Sequence, residues 1–164
     1  MKGTQFLLMT AAVSVLMAGI ITFTACDKDD DKGGYVDLGL PSGTKWQTKN
    51  EDAQDFYTYA EAVAQFGDKL PTKEQLEELK NSCQWEWTGS GYKVTGPNGS
   101  TITLPAAGYY NCGGGTNFVG SGGNYWSSTP NGSDRAWGLG FYSGGVSTDA
   151  YYRCYGYSVR LVQK

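Results

Sequence analysis

The chain of 164 residues contains no histidine. This absence removes the usual general base, the Ser–His and Cys–His nucleophile pairs and the commonest metal ligand. A second absence is local, because no lysine and no glutamate occurs between residues 94 and 163. The formal net charge is −3, and no cluster of basic residues is present that would attract nucleic acid. The composition therefore argues against histidine-based catalysis and against a nucleic-acid partner.

Cysteine is also scarce. Beyond the N-terminal segment the chain has only Cys83, Cys112 and Cys154. An exported protein can form a disulfide, but an odd number leaves one thiol over. Three pairings are possible, and the sequence does not choose among them. We predict no catalytic residue, no metal site and no cofactor.

Residues 1–25 have the features of a secretion signal. Lys2 supplies a positive charge, and residues 6–21 are mostly apolar. This apolar core is short for a bilayer span of about 20 residues, which favours a cleaved signal peptide. Phe23-Thr24-Ala25-Cys26 resembles a relaxed bacterial lipobox, with Phe23 in place of the usual Leu. The resemblance implies cleavage before Cys26 and a stable membrane anchor through lipid on its sulfur, with simple secretion as the alternative.

Residues 26–34 form a predicted tether. Four Asp, two Lys and two Gly follow Cys26, a composition that stays solvated and flexible. Nothing in this run would fix the carboxylates around a metal ion. An acidic run after a lipidated cysteine resembles the surface-export signal of Bacteroides-type lipoproteins, which implies the outer face of the outer membrane. Residues 35–164 remain, enough for one domain with one core.

Local patterns in residues 35–164 predict an α+β fold. Capping boxes at 58–61 and 72–75 predict two helices. Tyr59, Val63 and Phe66 recur at helical spacing in the first helix, and Leu76 and Leu79 face the core from the second, which runs to about residue 82. Short strands between Gly-rich loops are predicted at 35–40, 45–48, 85–88, 92–95, 101–104, 125–127, 136–142, 145–148 and 158–162.

Two helices followed by strands indicate helices packed on an irregular antiparallel sheet with long Gly-rich loops. The rings of Trp85, Trp87, Trp126 and Trp137 are predicted to pack in or at the edge of the core. Asp134 and Arg135 suggest an ion pair within a loop.

The segment 108–157 holds 8 of the 12 Tyr and 13 of the 24 Gly, mixed with Ser, Asn, Asp, Cys, Phe and Trp. This composition is typical of binding loops, because Tyr gives a large, rigid, half-polar contact area while small residues adapt. A Gly-rich β surface without a ligand is the alternative. The segment predicts a binding surface without identifying what binds.

Five stretches resemble one family along nearly all of residues 35–164. They are VDLGLPSGTKW (36–46), KLPTKEQLEEL (69–79), WEWTGSGYKVTGPNGSTITLPAAGYY (85–110), NYWSSTPNG (124–132) and YGYSVRLV (155–162). The family is the Fibrobacter succinogenes major paralogous domain, which is common in Bacteroides-type surface lipoproteins. The resemblance implies a C-type-lectin-like fold, which is shared with formylglycine-generating enzymes.

Residues 108–162 also resemble the variable region of diversity-generating retroelement target proteins. In those proteins randomised template Asn codons yield residues such as Tyr, Ser, Asp, Gly and Cys, but never Lys, Glu or Trp. By this rule Trp126 and Trp137 belong to the scaffold. Cys112 is also expected to vary. The residues expected both to vary and to bind the ligand are Tyr109, Tyr110, Tyr142, Ser143, Asp149, Tyr151, Tyr152, Tyr155 and Tyr157.

If residues 151–152 are extended, adjacent tyrosines point to opposite faces, and only one of Tyr151 and Tyr152 lies on the binding face. Arg160 is expected to be structural, because a guanidinium can tie loops together through several donors.

The family resemblances also suggest activities that the residues do not support. A formylglycine-generating enzyme needs a close copper-binding cysteine pair, and Cys112 and Cys154 lie in unlike contexts. Calcium-dependent sugar binding needs an acidic residue beside a Pro-Asn pair, which 96–98 and 129–131 lack. The sequence therefore predicts a non-enzymatic surface lipoprotein that binds an external protein or glycan. A structural surface-layer or spacer protein is the alternative, and a formylglycine-generating-like enzyme is a distant third.

Overall fold

The computed structural model describes residues 34–51 and 56–164. The predicted signal peptide, Cys26 and residues 27–33 of the tether lie outside the described residues. Within them are two helices, α1 (Tyr59–Phe66) and α2 (Lys73–Ser82), and a 3-10 turn (Gly67–Lys69). The strands are β1 (Tyr35–Asp37), β2 (Lys45–Gln47), β3 (Gln84–Trp87), β4 (Gly91–Thr95), β5 (Thr101–Pro105), β6 (Tyr109–Tyr110), β7 (Thr116–Asn117), β8 (Gly122–Asn131), β9 (Arg135–Tyr142), β10 (Gly145–Tyr152) and β11 (Val162–Gln163).

The strands form small antiparallel sheets, ordered β1-β2-β11, β3-β4-β5, β10-β9-β8 and β6-β7. With the two short helices, these sheets make a mixed α+β fold, as the sequence predicts. No helix among the described residues is long and apolar enough to cross a membrane.

Both helices begin at the predicted capping boxes. The Thr58 side chain accepts a hydrogen bond from the Glu61 amide, and Glu61 Oε2 accepts one from the Thr58 amide at 2.8 Å. The Thr72 and Gln75 side chains repeat this arrangement at α2. These reciprocal bonds satisfy amides that have no partner within the helix, which fixes where each helix starts.

Each of the two helices buries a narrow stripe of side chains. In α2 the predicted Leu76 and Leu79 are both buried. In α1 Tyr59 and Ala62 are buried, but Val63 is exposed, so its predicted place on the apolar face is wrong. The apolar stripe of this short helix passes through Ala62 to the partly buried Phe66. Val63 follows Ala62 by one residue, so its side chain is turned away from this stripe.

The β8-β9-β10 sheet separates two hydrophobic clusters. Tyr125, Leu139 and Phe141 belong to the first cluster, which also contains Leu76 and Leu79 of α2. The second cluster contains β-sheet residues from the opposite face, with side chains of α1 and the C-terminal segment; its buried members are Tyr59, Ala62, Leu70, Trp126, Ala136, Tyr157, Val159 and Leu161. Alternation along the strands sends neighbouring side chains to opposite faces. The sheet is therefore buried on one face and partly covered on the other.

Three of the four tryptophan rings predicted for the core or its edge lie there. Trp126 is fully buried, and Trp85 and Trp87 pack against the first cluster while partly exposed. Trp137 is half-buried, with the Lys73 ammonium 4.1 Å from its ring centroid. The prediction is therefore confirmed for Trp85, Trp87 and Trp126, which pack in the core or at its edge.

Arg160 is the main polar contact of the interior and has the predicted structural role. Its guanidinium is buried and donates to Asn50 Oδ1 from Nε (2.9 Å) and Nη2 (2.7 Å). It also donates to the carbonyls of Gln47 (2.9 Å) and Thr103 (2.8 Å). A buried acceptor left without a donor costs about 1–3 kcal/mol, so these bonds hold the segment after β2 against β5. Burial lowers the pKa of Arg160.

The C-terminal segment departs from the predicted strand at 158–162. Only Val162–Gln163 forms a strand, and the residues before it pair with several elements in turn. Isolated bridges join Tyr157 to Tyr57, Gly156 to Tyr110 and Ser158 to Tyr125. This segment therefore runs between β6 and β8, and it brings distant tyrosines together.

Candidate functional site

Tyr157 lies at the centre of a connected group of aromatic rings. Its ring stacks on that of Trp126, with centroids 4.3 Å apart and planes inclined by 28°. Three further rings surround it, those of Tyr151 at 5.2 Å, Tyr109 at 5.9 Å and Tyr155 at 5.9 Å between centroids. Burial raises the pKa of the Tyr157 hydroxyl well above its usual range, and the neighbouring tyrosines add to the effect.

The burial of Tyr157 corrects its predicted place on the binding face. The side chain is only 2% exposed. Its amide and carbonyl pair with those of Tyr57, each N···O distance being 2.9 Å, while the Ser158 amide donates to the Asn124 carbonyl of β8 at 3.0 Å. This double pairing turns the Tyr157 ring onto Trp126, where it supports the surface from below.

The other predicted residues lie around this buried ring or beyond it. Tyr109, Tyr151 and Tyr155 are half-buried, and each contacts Tyr157. Those that are exposed are Tyr110, Tyr142, Ser143, Asp149 and Tyr152. We name these eight residues, together with Phe118, the tyrosine face; Tyr152 leaves the other side of β10 from Tyr151 and belongs to its margin through ring contact with Tyr155.

Tyr151 and Tyr152 point to opposite sides of β10, as predicted. Tyr151 lies opposite Ala136 in the strand register and contacts Tyr157. Tyr152 lies opposite Arg135, whose Nη2 donates to the Tyr152 hydroxyl at 3.0 Å. The predicted ion pair between Asp134 and Arg135 is wrong, because the Arg135 guanidinium lies 4.4 Å from the centroid of the Tyr152 ring and engages its hydroxyl.

A cleft of about 280 Å³ opens in the tyrosine face. Its lining combines aromatic rings with glycines, one amide and hydroxyls, and includes no charged residue. The lining residues are Tyr109, Phe118, Gly122, Asn124, Gly140, Phe141, Tyr142, Ser147 and Tyr151. Burial raises the pKa of the Tyr151 hydroxyl, and a hydrogen bond with Ser147 opposes the effect.

Glycines of β9 make room for this cleft. In the strand register Gly140 lies between Asn124 of β8 and Ser147 of β10, so the three share one sheet face. A Cβ atom at Gly140 would collide with the Tyr151 hydroxyl and lie 3.1 Å from Asn124 Nδ2. At Gly138 a Cβ would lie 2.7 Å from the Tyr125 carbonyl oxygen. The missing side chains let the Tyr151 ring lie low over the sheet.

Phe118 is a member of the face that sequence reasoning missed. It is the one non-glycine among the described residues with positive φ, at 58°. Its carbonyl accepts from the amides of Ser121 and Gly122, both at 2.9 Å, and its ring stacks on Tyr109 at 6.0 Å. The ring nevertheless stays 62% exposed. A left-handed backbone conformation at a non-glycine residue costs about 1–3 kcal/mol, and such residues cluster at binding sites. The sequence feature that could have identified Phe118 is the apolar Phe-Val pair in a Gly-rich loop.

A disulfide joins two of the chain segments that carry the tyrosine face. Of the three pairings that the sequence allows, the structure has Cys112–Cys154, with Cα atoms 5.2 Å apart. It links the segment after β6 to the turn after β10. Closing a loop of this length stabilises a fold by up to about 4 kcal/mol. Cys83 is free and half-buried, and burial raises its thiol pKa to about 11, so the thiol stays protonated near neutral pH.

Comparison with known proteins gives one match. The sequence model of a family described as a domain of unknown function (DUF8237) matches residues 73–162, from α2 to β11. The matched part includes the cleft, the buried Tyr157 ring and the disulfide. No curated protein and no solved structure matches the chain.

The contrast between Tyr157 and Tyr142 gives a prediction about stability. Tyr157→Ala should lower the free energy of unfolding by about 3–5 kcal/mol, because it removes a buried ring that contacts four others. Tyr142→Ala should change it by no more than about 0.5 kcal/mol, because that ring is on the surface. Urea unfolding followed by tryptophan fluorescence measures both changes. Equal losses in the two variants would contradict the assignment of Tyr157 to the core.

Proposed function

The chain belongs to the DUF8237 family, and we propose that it is a surface lipoprotein that binds an external protein or glycan through the tyrosine face. The observation that carries this proposal is the support of half-buried rings by the buried Tyr157–Trp126 stack, with exposed rings at their margin. A surface of this kind holds its contact groups in place before the ligand arrives.

The energetics of recognition support a binding role. Aromatic residues supply most of the binding energy in typical interfaces, and small polar residues around them adapt to the partner. Tyr142 is 62% exposed and is followed directly by the exposed Ser143. Tyr109 and Tyr151 are partly immobilised by ring contacts, so less conformational entropy is lost when a ligand covers them.

We also propose a C-type-lectin-like fold and a relation to the major paralogous domain family. The order of two capped helices followed by antiparallel strands supports both. So does the closing region, in which Arg160 joins separate segments of the chain.

Diversification by a retroelement is part of the same proposal. The exposure of Tyr110, Tyr142, Ser143, Asp149 and Tyr152 supports it, because exposed positions can change without loss of folding. The gene should then lie beside a reverse transcriptase gene and a near-repeat with Asn codons at these positions. Sequencing of the flanking DNA decides the matter, and the absence of both features would exclude diversification.

A triple variant tests the binding role. Substitution of Tyr110, Tyr142 and Tyr152 by Ala should weaken capture of the bound component from host or bacterial surface extracts by more than about tenfold, which is about 1.4 kcal/mol. The unfolding midpoint of the variant should stay close to that of the parent.

The matched control is Val63→Ala, which removes an exposed apolar side chain from α1, outside the tyrosine face. This variant should bind like the parent. A parent protein that captures nothing would favour the structural spacer over a binding protein.

The lipid anchor has its own test. Cys26→Ser should abolish incorporation of labelled palmitate and release the protein from the membrane fraction, because the acylated sulfur is lost. External protease should degrade the parent protein on intact cells. Unchanged labelling of the Cys26→Ser variant would refute the lipobox assignment.

A further inference from the structure

We propose that the cleft between Tyr109, Phe118, Tyr142 and Tyr151 holds one neutral sugar ring of a glycan. The inference rests on the proposed function, because it names the ligand class of the tyrosine face. It concerns only the cleft and leaves Tyr110 and Tyr152 outside the sugar contact.

The size and walls of the cleft suit a single ring. Its volume of about 280 Å³ lies at the lower limit of small-molecule sites, which span about 300–1,000 Å³. Tyr109, backed by the stacked Phe118, forms one side, and Tyr151 lies low over Gly140. Aromatic faces accept the C–H face of a sugar through dispersion and hydrophobic contact.

The lining offers no charged partner to an acidic ligand. No Lys, Arg, Asp or Glu lines the cleft. Asp149 lies on the same side of β10 as Ser147, but it is opposite Gly138, one row beyond the lining. A sialic acid or a sulfate would lose its hydration here without an opposite charge to replace it.

The polar groups of the lining favour a sugar over an apolar side chain. Asn124 Nδ2 lies above Gly140, and among the described residues the Asn124 side chain has no hydrogen-bond partner. An aliphatic ligand would cover this amide and leave it unpaired, at a cost of about 1–3 kcal/mol. Neighbouring sugar hydroxyls can both donate to and accept from a primary amide. The hydroxyls of Ser147 and Tyr151 lie on the same lining.

The test uses the full-length protein on an array of neutral, sialylated and sulfated oligosaccharides, and in parallel on a phage library of random dodecapeptides. Neutral glycans should bind. Tyr142→Ala and Asn124→Ala should each weaken that binding about tenfold. Val63→Ala, which removes an exposed apolar side chain of α1 outside the tyrosine face, should leave it within about twofold. Unchanged unfolding midpoints show that all three variants are folded.

The other outcomes overturn the inference in distinguishable ways. Preference for sialylated or sulfated glycans would refute the neutral ligand, and retention of binding by both Tyr142→Ala and Asn124→Ala would refute its place in the cleft. Peptides that bind through Tyr142 when no glycan does would refute the sugar but leave the tyrosine face as a binding surface. If neither library binds, the sugar site and the proposed function both fail.

Discussion

The stacking of Tyr157 on Trp126 is the contact on which the tyrosine face depends. Trp126 is fixed in β8, and Tyr157 brings the C-terminal segment against it. Tyr109, Tyr151 and Tyr155 come from β6, β10 and the turn after β10, yet each contacts the same buried ring. Without that ring the three half-buried tyrosines would have no common support, and the surface would lose its shape together with its stability.

The second constraint is the absence of side chains in β9. Gly138 and Gly140 follow one face of the central strand, where larger residues would meet the Tyr151 ring or the Tyr125 carbonyl oxygen. Glycine within a strand costs about 0.5–1 kcal/mol relative to alanine. Two glycines on one strand face therefore lower stability, and their missing side chains leave room for the cleft over the sheet. The glycines of the C-terminal half therefore have two roles, since others, such as Gly132 with φ 68°, only allow turns.

The sequence predicted the features whose signals are local. The capping boxes at Thr58 and Thr72, the buried Leu76 and Leu79 and the opposite directions of Tyr151 and Tyr152 depend on residues close together in the chain. The burial of Tyr157 and the Cys112–Cys154 pairing depend on which distant segments meet. A tyrosine flanked by polar residues carries the same local signal whether a neighbouring strand covers it or not. For this reason the composition identified the tyrosine-rich segment but assigned Tyr157 to the wrong layer.

The structure divides the tyrosines into a layer that the fold requires and a layer that it does not. Loss of a buried ring typically costs about 3–5 kcal/mol, whereas an exposed position tolerates change within about 0.5 kcal/mol. Tyr142 and Ser143 lie in the second layer, at a turn whose strands are paired along their length. The disulfide between Cys112 and Cys154 cross-links the segment after β6 to the turn after β10. Exposed residues can therefore be exchanged while the buried and half-buried rings stay in place. For the binding role proposed above, this separation would allow ligand specificity to change without refolding the domain. That property is useful to any binding surface, whether or not a retroelement varies it.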